Sequence, residues 1–335
     1  MRSLTYAHAI REAFQQLLAS DPRVFVIGQG LWSPWYVGAS MQDLDLEFGR
    51  DRVIDTPVSE NATTGAAIGA ALAGMRPIVV HPRMDFMLLA ADPIVNQAAN
   101  WSYMFGGQIG VPVVIRSIIN RGGEQGAQHS QALQAFFTHV PGIKVVMPAN
   151  PYDAKGLLIA AVRDGNPVMF IDDRWLYDSV GEVPAEMYAV PIGLGAVRRV
   201  GSDLTIVASS WILGQALAAA ETLDRRGVSA EVIDLRSIKP WDRGLVFNSV
   251  RKTGRLIIAD GGWTTGGVSA EIAATVACEA FDCLKGPIQR VALPDAPAPT
   301  SQALERAYYP TAAHIIMAAE RILAGARVLA AVQVT

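Results

Sequence analysis

The chain has 335 residues, 51% of them hydrophobic, with 28 Lys and Arg against 31 Asp and Glu and a formal net charge of −3. That length exceeds a typical single domain and suits two, and such a hydrophobic share fills sizeable cores. Near-neutral charge with no Lys/Arg run or basic stripe speaks against nucleic acid as a partner.

In chain order, the opening MRSLTYAHAIREAF reads as an amphipathic helix charged at Arg2, Arg11 and Glu12, without a signal-peptide hydrophobic core. The first β-branched run is VFVIG at 24–28. At 51–74, DRVIDTPVSENATTGAAIGAALAG sets one carboxylate, Glu60, at a strand-to-helix switch ahead of a helix of little but Ala and Gly. Two readings fit locally: an acid presented for catalysis, or Ser59 and Glu60 capping the helix and meeting its positive end. The apolar run from Gly65 meets Arg76 within one helix length and is a poor membrane span. Strand-like runs follow at 77–80 (PIVV), 111–115 (VPVVI), 144–147 (KVVM) and 167–171 (PVMFI). Residues 172–192 are polar, hold two prolines and show no period, so they read as a linker with local packing over 176–180. A second series follows at 204–208 (LTIVA), 230–235 (AEVIDL), 255–259 (RLIIA) and 289–293 (QRVAL). Continuous apolar strands alternating with helical segments predict an α/β fold of two domains, each a doubly wound, mainly parallel sheet.

Two glycine-rich turns, GGEQG at 122–126 and DGGWTTGG at 260–267, each join a strand to a helix. Neither is a P-loop or a dinucleotide fingerprint; each either binds an anion at a helix start or reverses the chain. Of five histidines, His129 follows the first glycine turn at the carboxyl end of a predicted strand, where α/β proteins place their chemistry. A structural histidine bonded to backbone is the plainer alternative. No HExxH, G-x-S-x-G or metal-spaced acid cluster occurs. Cys278 and Cys283 lack zinc-site partners and read as core thiols of a soluble, cytoplasmic protein.

These segments resemble the beta subunit of the thiamine diphosphate-dependent decarboxylase component of 2-oxo acid dehydrogenases (pyruvate, branched-chain, acetoin). Matching stretches are RVIDTPVSE (52–60), GMRP (74–77), MDF (84–86), DPIVNQAA (92–99), VPVVIR (111–116), GAQHSQAL (126–133), HVPGIKVVMP (139–148), DAKGLL (153–158), AVRDGNPV (161–168), DGGWTTGGVSAEIA (260–273) and DAPAPTSQALE (295–305). They run in family order along nearly the whole chain. The resemblance is more distant to the second and third domains of transketolase.

The resemblance implies a pyrimidine-binding domain over 1–180, a linker over 181–195, a transketolase C-terminal domain over 196–325 and a tail over 326–335. Glu60 matches the glutamate that bonds N1′ of the cofactor's aminopyrimidine and so favours the tautomer that removes the proton at C2. Phe86 matches the aromatic packed on the pyrimidine. His129 matches the histidine assigned to substrate handling and acyl transfer. Val113, Ala161, Asp164 and Asn166 match positions that ligate a structural potassium ion in some relatives, partly through backbone carbonyls. The Gly-Asp-Gly and Asn-Asn that hold diphosphate and magnesium are absent, Ala259-Asp260-Gly261 being the nearest approach. In the family that motif belongs to an alpha subunit, which implies thiamine diphosphate shared at an interface, Mg2+ held mainly by the partner, and a heterotetramer of two alpha and two beta chains. The bare Ala/Gly helix agrees with a large buried interface.

Several positions depart from the family. Gly28-Gln29-Gly30 stands for Gly-Glu-Asp or Gly-Glu-Glu, Val80-His81-Pro82-Arg83 for Glu-Ile-Gln-Phe, and Pro93 interrupts the usual DQIVN; LWSPWYVG at 31–38 is rich in tryptophan. They cluster where substrate should enter, so substrate choice is expected to differ from ordinary pyruvate. In an extended stretch Arg83 and Asp85 share the face opposite Phe86, which predicts an Arg83–Asp85 pair rather than a substrate clamp. Two catalytic alternatives stay open. One is an oxidative decarboxylase subunit passing an acyl group to a lipoyl acyltransferase. The other is a split transketolase-like or acyloin-forming carboligase working without a multienzyme complex. The apolar chain end, with Arg327 its one charge, bears on that choice because it could alter the docking face.

Overall fold

The structure is a computed structural model that describes residues 1–33 and 35–331, the side chains of 325–331 excepted. Its strands are β1 (Arg2–Thr5), β2 (Val24–Gly28), β3 (Val53–Asp55), β4 (Arg76–His81), β5 (Val114–Ile119), β6 (Lys144–Val146), β7 (Val168–Asp173), β8 (Val180–Val183), β9 (Ala196–Arg199), β10 (Leu204–Ala208), β11 (Ala230–Asp234), β12 (Ser237–Lys239), β13 (Leu256–Trp263) and β14 (Gln289–Leu293). Its α-helices are α1 (Tyr6–Ser20), α2 (Leu44–Phe48), α3 (Glu60–Leu72), α4 (Ala99–Met104), α5 (Gln134–His139), α6 (Pro151–Arg163), α7 (Ile212–Asp224), α8 (Arg243–Thr253), α9 (Val268–Glu279), α10 (Gln302–Tyr308) and α11 (Ala312–Ala331). The chain divides into two compact units, residues 1–192 with 238–240, and residues 193–237 with 241 onward.

The first unit holds a seven-stranded sheet in the order β12-β6-β7-β5-β4-β2-β3 and a two-stranded β1-β8 ribbon. Every pair from β2 to β7 is parallel. β5 and β7 are buried at every position, the signature of a parallel strand covered on both faces. Helices α1 and α6 pack together, and Phe14, Leu18, Leu157, Leu158 and Phe170 join one apolar cluster beneath them. The second unit is a five-stranded sheet ordered β14-β13-β10-β11-β9, parallel except for β9 against β11. Both units are thus α/β with mainly parallel sheets, as the alternation of apolar runs predicts.

Four local expectations change. The first turn of the predicted N-terminal helix is instead β1, paired antiparallel with β8 in the stretch read as linker; the Thr5 hydroxyl then caps α1 by accepting from the His8 N–H at 3.2 Å. β5 starts at Val114, not 111, because Pro112 has no N–H to give the ladder. Cys278 is an exposed free thiol, not a core one, since it lies off the Ile272–Val276 stripe that α9 buries. The backbone of α11 continues through the first residues read as tail, while 332–335 and the Arg327 side chain lie outside the described residues.

The core of the first unit also contains charge. Arg116 and Asp172 have no exposed side-chain surface and meet through two bonds, Nε to Oδ1 at 3.1 Å and Nη2 to Oδ2 at 2.8 Å. The Tyr177 hydroxyl donates to Asp172 Oδ2 at 2.6 Å. Burial, then the Asp172 charge, push the Tyr177 phenol well above its ordinary range, so it stays a donor. Removing one member of such a pair strands the other in the core. Asp172→Ala should therefore cost about 3–5 kcal/mol of stability. Urea unfolding of the two proteins measures it, and a difference near that of a surface substitution would show that Arg116 finds other compensation.

Candidate active site

β2 leads to β3 on one side of itself, while β4 lies on its other side and leads away to β5. The loops leaving β2 and β4 diverge, and a crevice opens at their carboxyl ends, where open parallel sheets take ligands. Gly28 closes β2 hard against β4; a Cβ there would lie 2.4 Å from the Val80 carbonyl oxygen, so only glycine fits. Two bonds pin the loop beyond it. The Thr56 N–H donates to the Gly28 carbonyl at 2.9 Å, and the Gly30 N–H to Asp55 Oδ1 at 2.6 Å. Between these pins Gln29 Nε2 donates to Glu60 Oε1 at 3.0 Å.

Glu60 is the first residue of α3 and only 5% exposed. The positive end of the helix favours a carboxylate there. Ser59 precedes it and makes no side-chain cap bond, so the capping alternative fails for Ser59. His81 ends β4 and lines the same narrow cleft as Gln29, Thr63 and Glu60. Its Nε2 lies 3.2 Å from Thr64 Oγ1. Burial lowers its pKa from 6.5 to about 4, so the ring is neutral at pH 7.

A second cluster lies on the turns after β4 and β5. Phe86 opens a 3-10 turn over Phe86–Ala90 that packs on α3. Its ring, 38% exposed, meets His129 edge to face, with centroids 5.2 Å apart and planes at 88°. The His129 loop is held by Asp85, whose Oδ1 accepts from the Gln131 N–H at 3.0 Å. Burial raises the Asp85 carboxyl, opposed in part by that bond. The expected Arg83–Asp85 pair does not form. The chain turns at 84–85 instead of staying extended, so alternation of faces does not apply. Arg83 Nη1 donates only to the Pro82 carbonyl.

Of the four potassium-matched residues, Val113 lies just before β5, Ala161 in the last turn of α6, and Asp164 and Asn166 on the loop that follows it. The Val113 carbonyl accepts from the Val168 N–H at 3.1 Å and the Ala161 carbonyl from the Asp164 N–H at 3.2 Å. Asp164 Oδ1 accepts from the Asn166 N–H at 2.9 Å, and its Oδ2 pairs with Lys144. Arg76 Nη1 also donates to the Val162 and Asp164 carbonyls. An ion here would rely on spare carbonyl lone pairs, because both carboxylate oxygens are engaged. Among the described residues no group of three His, Cys, Asp or Glu converges to hold a metal ion. The carboxylate of Asp260, in the second glycine turn, accepts from the Gly262 and Ser269 N–H groups at 2.9 and 3.0 Å and so shapes the backbone.

Gln29 and His81 were not among the sequence-predicted site residues, though each stands at the carboxyl end of a legible strand.

Residues 2–179 match the transketolase pyrimidine binding domain and residues 193–315 the transketolase C-terminal domain. The chain is 43% identical to the acetoin:2,6-dichlorophenolindophenol oxidoreductase subunit beta of Cupriavidus necator, over 96% of this chain and 98% of that one. It is 42% identical to the pyruvate dehydrogenase E1 component subunit beta of Rickettsia felis, over 95% and 98%. A solved split-gene transketolase, an inactive beta4 tetramer, superposes with a TM-score of 0.79 at 24% identity over 96% and 98%, a likeness of fold.

The buried His81 makes acid stability a test of the cleft. Above pH 6.5 the ring is neutral folded or unfolded and adds no pH dependence. Between 6.5 and about 4 the unfolded chain takes up a proton that the folded one refuses, so stability falls as pH falls. The loss should reach roughly 3 kcal/mol across that window. His81→Gln should flatten this slope in urea titrations at successive pH values; an unchanged slope would mean that His81 protonates freely in the fold.

Proposed function

Because the chain belongs to the family of transketolase-like beta subunits of thiamine diphosphate-dependent 2-oxo acid dehydrogenases, we propose that it activates the cofactor's pyrimidine in an oxidative decarboxylase and helps pass the acyl group to a lipoyl domain. The observation that carries this is the buried Glu60 carboxylate, fixed by Gln29 at the sheet's switch point. When bound, thiamine diphosphate supplies the carbon nucleophile and the electron sink for decarboxylation. Glu60 Oε1 is engaged by Gln29, which leaves Oε2 to share a proton with the N1′ nitrogen of the aminopyrimidine. Phe86 offers a half-open ring face to that heterocycle. His129, held edge-on by Phe86 on a loop tied down through Gln131, presents ring nitrogens to the substrate's oxygens.

Magnesium and the diphosphate fall to an alpha subunit in an assembly of two alpha and two beta chains, working in the cytoplasm. In support, the outer face of α3 is bare: a Cβ at Gly65 or Gly69 would meet nothing within 4 Å. Nearby Leu88 and Leu89 are exposed, as are Tyr103 and Met104. No helix among the described residues is long and apolar enough to cross a membrane. A structural potassium ion at Val113, Ala161, Asp164 and Asn166 belongs to the same proposal. Its support is the close approach of these segments, and exchange of KCl for NaCl should then lower the thermal midpoint.

Three outcomes are expected. Glu60→Gln should leave fold and assembly intact and slow turnover by roughly 10²–10⁴-fold; near-normal proton exchange at C2 of the bound cofactor would remove Glu60 from the role. Calorimetry should find little thiamine diphosphate binding to this chain alone and magnesium-dependent binding once the alpha subunit is added; tight binding by the lone chain would refute the sharing. The reconstituted assembly should reductively acylate a lipoyl domain of its own organism. Decarboxylation with no lipoyl acylation, and a hydroxyketone released on adding an aldehyde, would replace the oxidative reaction by carboligation.

A further inference from the structure

We propose that Arg83 and Arg174 form an anion subsite of the crevice, a seat for a carboxylate or phosphate group that the substrate carries apart from its reacting carbonyl. This rests on the assignment of the crevice as the place where substrate binds. Arg83 follows the end of β4 and stands three residues before Phe86; Arg174 follows directly on β7. Both therefore stand at carboxyl ends of strands in the same parallel sheet as Gln29 and His81.

Neither has an acidic partner to match those of Arg116 and Arg121. Arg116 and Arg121 are fully buried and paired with Asp172 and Asp173. Arg83 donates only to its neighbour's carbonyl, and its Nε is buried without a partner. Arg174 Nη2 donates to the Tyr36 carbonyl at 2.7 Å and the Trp35 carbonyl at 3.5 Å, and its Nε is likewise buried without a partner. Neither makes a salt bridge among the described residues. Both reach the same wall, for the Arg83 guanidinium also lies 5.5 Å from the centre of the Tyr36 ring.

Two cations in one half-buried place repel each other. Burial first, and the Arg174 charge as well, lower the Arg83 pKa. The acid whose charge Arg83 feels is Asp85. But Asp85 Oδ1 is committed to the Gln131 N–H, and burial raises its own pKa toward the neutral form. The acid near Arg83 is thus already committed to the backbone. An oxyanion with two or more oxygens would pair the free N–H groups, and arginine forks suit that geometry. Such a subsite would select a substrate that carries an added anionic group.

The binding test needs neither cofactor nor partner, so a failure of the decarboxylase assignment leaves it readable. Thermal unfolding of the full chain is followed in inorganic phosphate, in succinate, and in chloride at equal ionic strength. Phosphate or succinate should raise the midpoint above the chloride value, and which of the two does so tells phosphate from carboxylate. Arg83→Gln and Arg174→Gln should abolish the rise, and Arg83→Lys, which keeps the charge, should retain part of it. In the assembly with the alpha subunit, Arg83→Gln should raise KM about ten- to a hundredfold for the substrate bearing the anionic group. The kcat, and the KM for a 2-oxo acid with a neutral tail, should not move. Equal midpoints in phosphate, succinate and chloride, or a rise that survives in both glutamine variants, would overturn the proposal.

Discussion

The cleft of the first unit is organised around one hydrogen bond, from the uncharged Gln29 amide to Glu60. Holding a carboxylate in a nearly closed cleft is costly unless it is bonded, and here a helix start and one amide do the holding. Gln29 orients the carboxylate without placing a charge beside it. The rest of the local architecture fixes that amide. Gly28 lets β2 close on β4, while Asp55 and Thr56 hold the following turn. His81 walls the cleft as a neutral ring, so no cation competes for the acid. A site that must receive a heterocycle thus keeps polarity without surplus charge.

Elsewhere the same unit carries its buried charge differently. Arg116 and Asp172 tie β5 to β7, and Lys155 binds Glu12 together with the carbonyls of Pro184, Ala185 and Glu186. Each of these buried cations is paired with an acid, and the pairs fix where the strand ends lie. Arg83, Arg174 and the free oxygen of Glu60 stand at the strand ends themselves.

How much of this was legible in the sequence varied with range. VFVIG and LTIVA became β2 and β10 at the expected positions because an unbroken apolar run in a covered parallel strand is a local property. The ribbon of β1 with β8 was not legible, since RSLT and VGEV are short, half exposed and pair across most of the unit. Glu60, Phe86 and His129 could be named from motifs, and Phe86 does meet His129. Gln29 and His81 stood out only as departures from the family near the substrate entrance, because what places them beside Glu60 is the register of β2 against β4. The alternation rule misread Arg83 because it assumed a strand where the chain turns.

The short strand β12 has a consequence for how the protein is made. Ile238–Pro240 belongs to the first unit, beside β6, and Lys239 Nζ donates there to the carbonyls of Thr138, at 2.8 Å, and Val140. A ribosome delivers this strand only after β9, β10, α7 and β11 have been synthesised. Until then the nascent first unit carries β6 as an open sheet edge, the kind of edge that invites pairing with other chains. A gene cut between the two units at residue 192 would leave that edge open for good, so the tidy boundary in the sequence is a poor place to divide the protein.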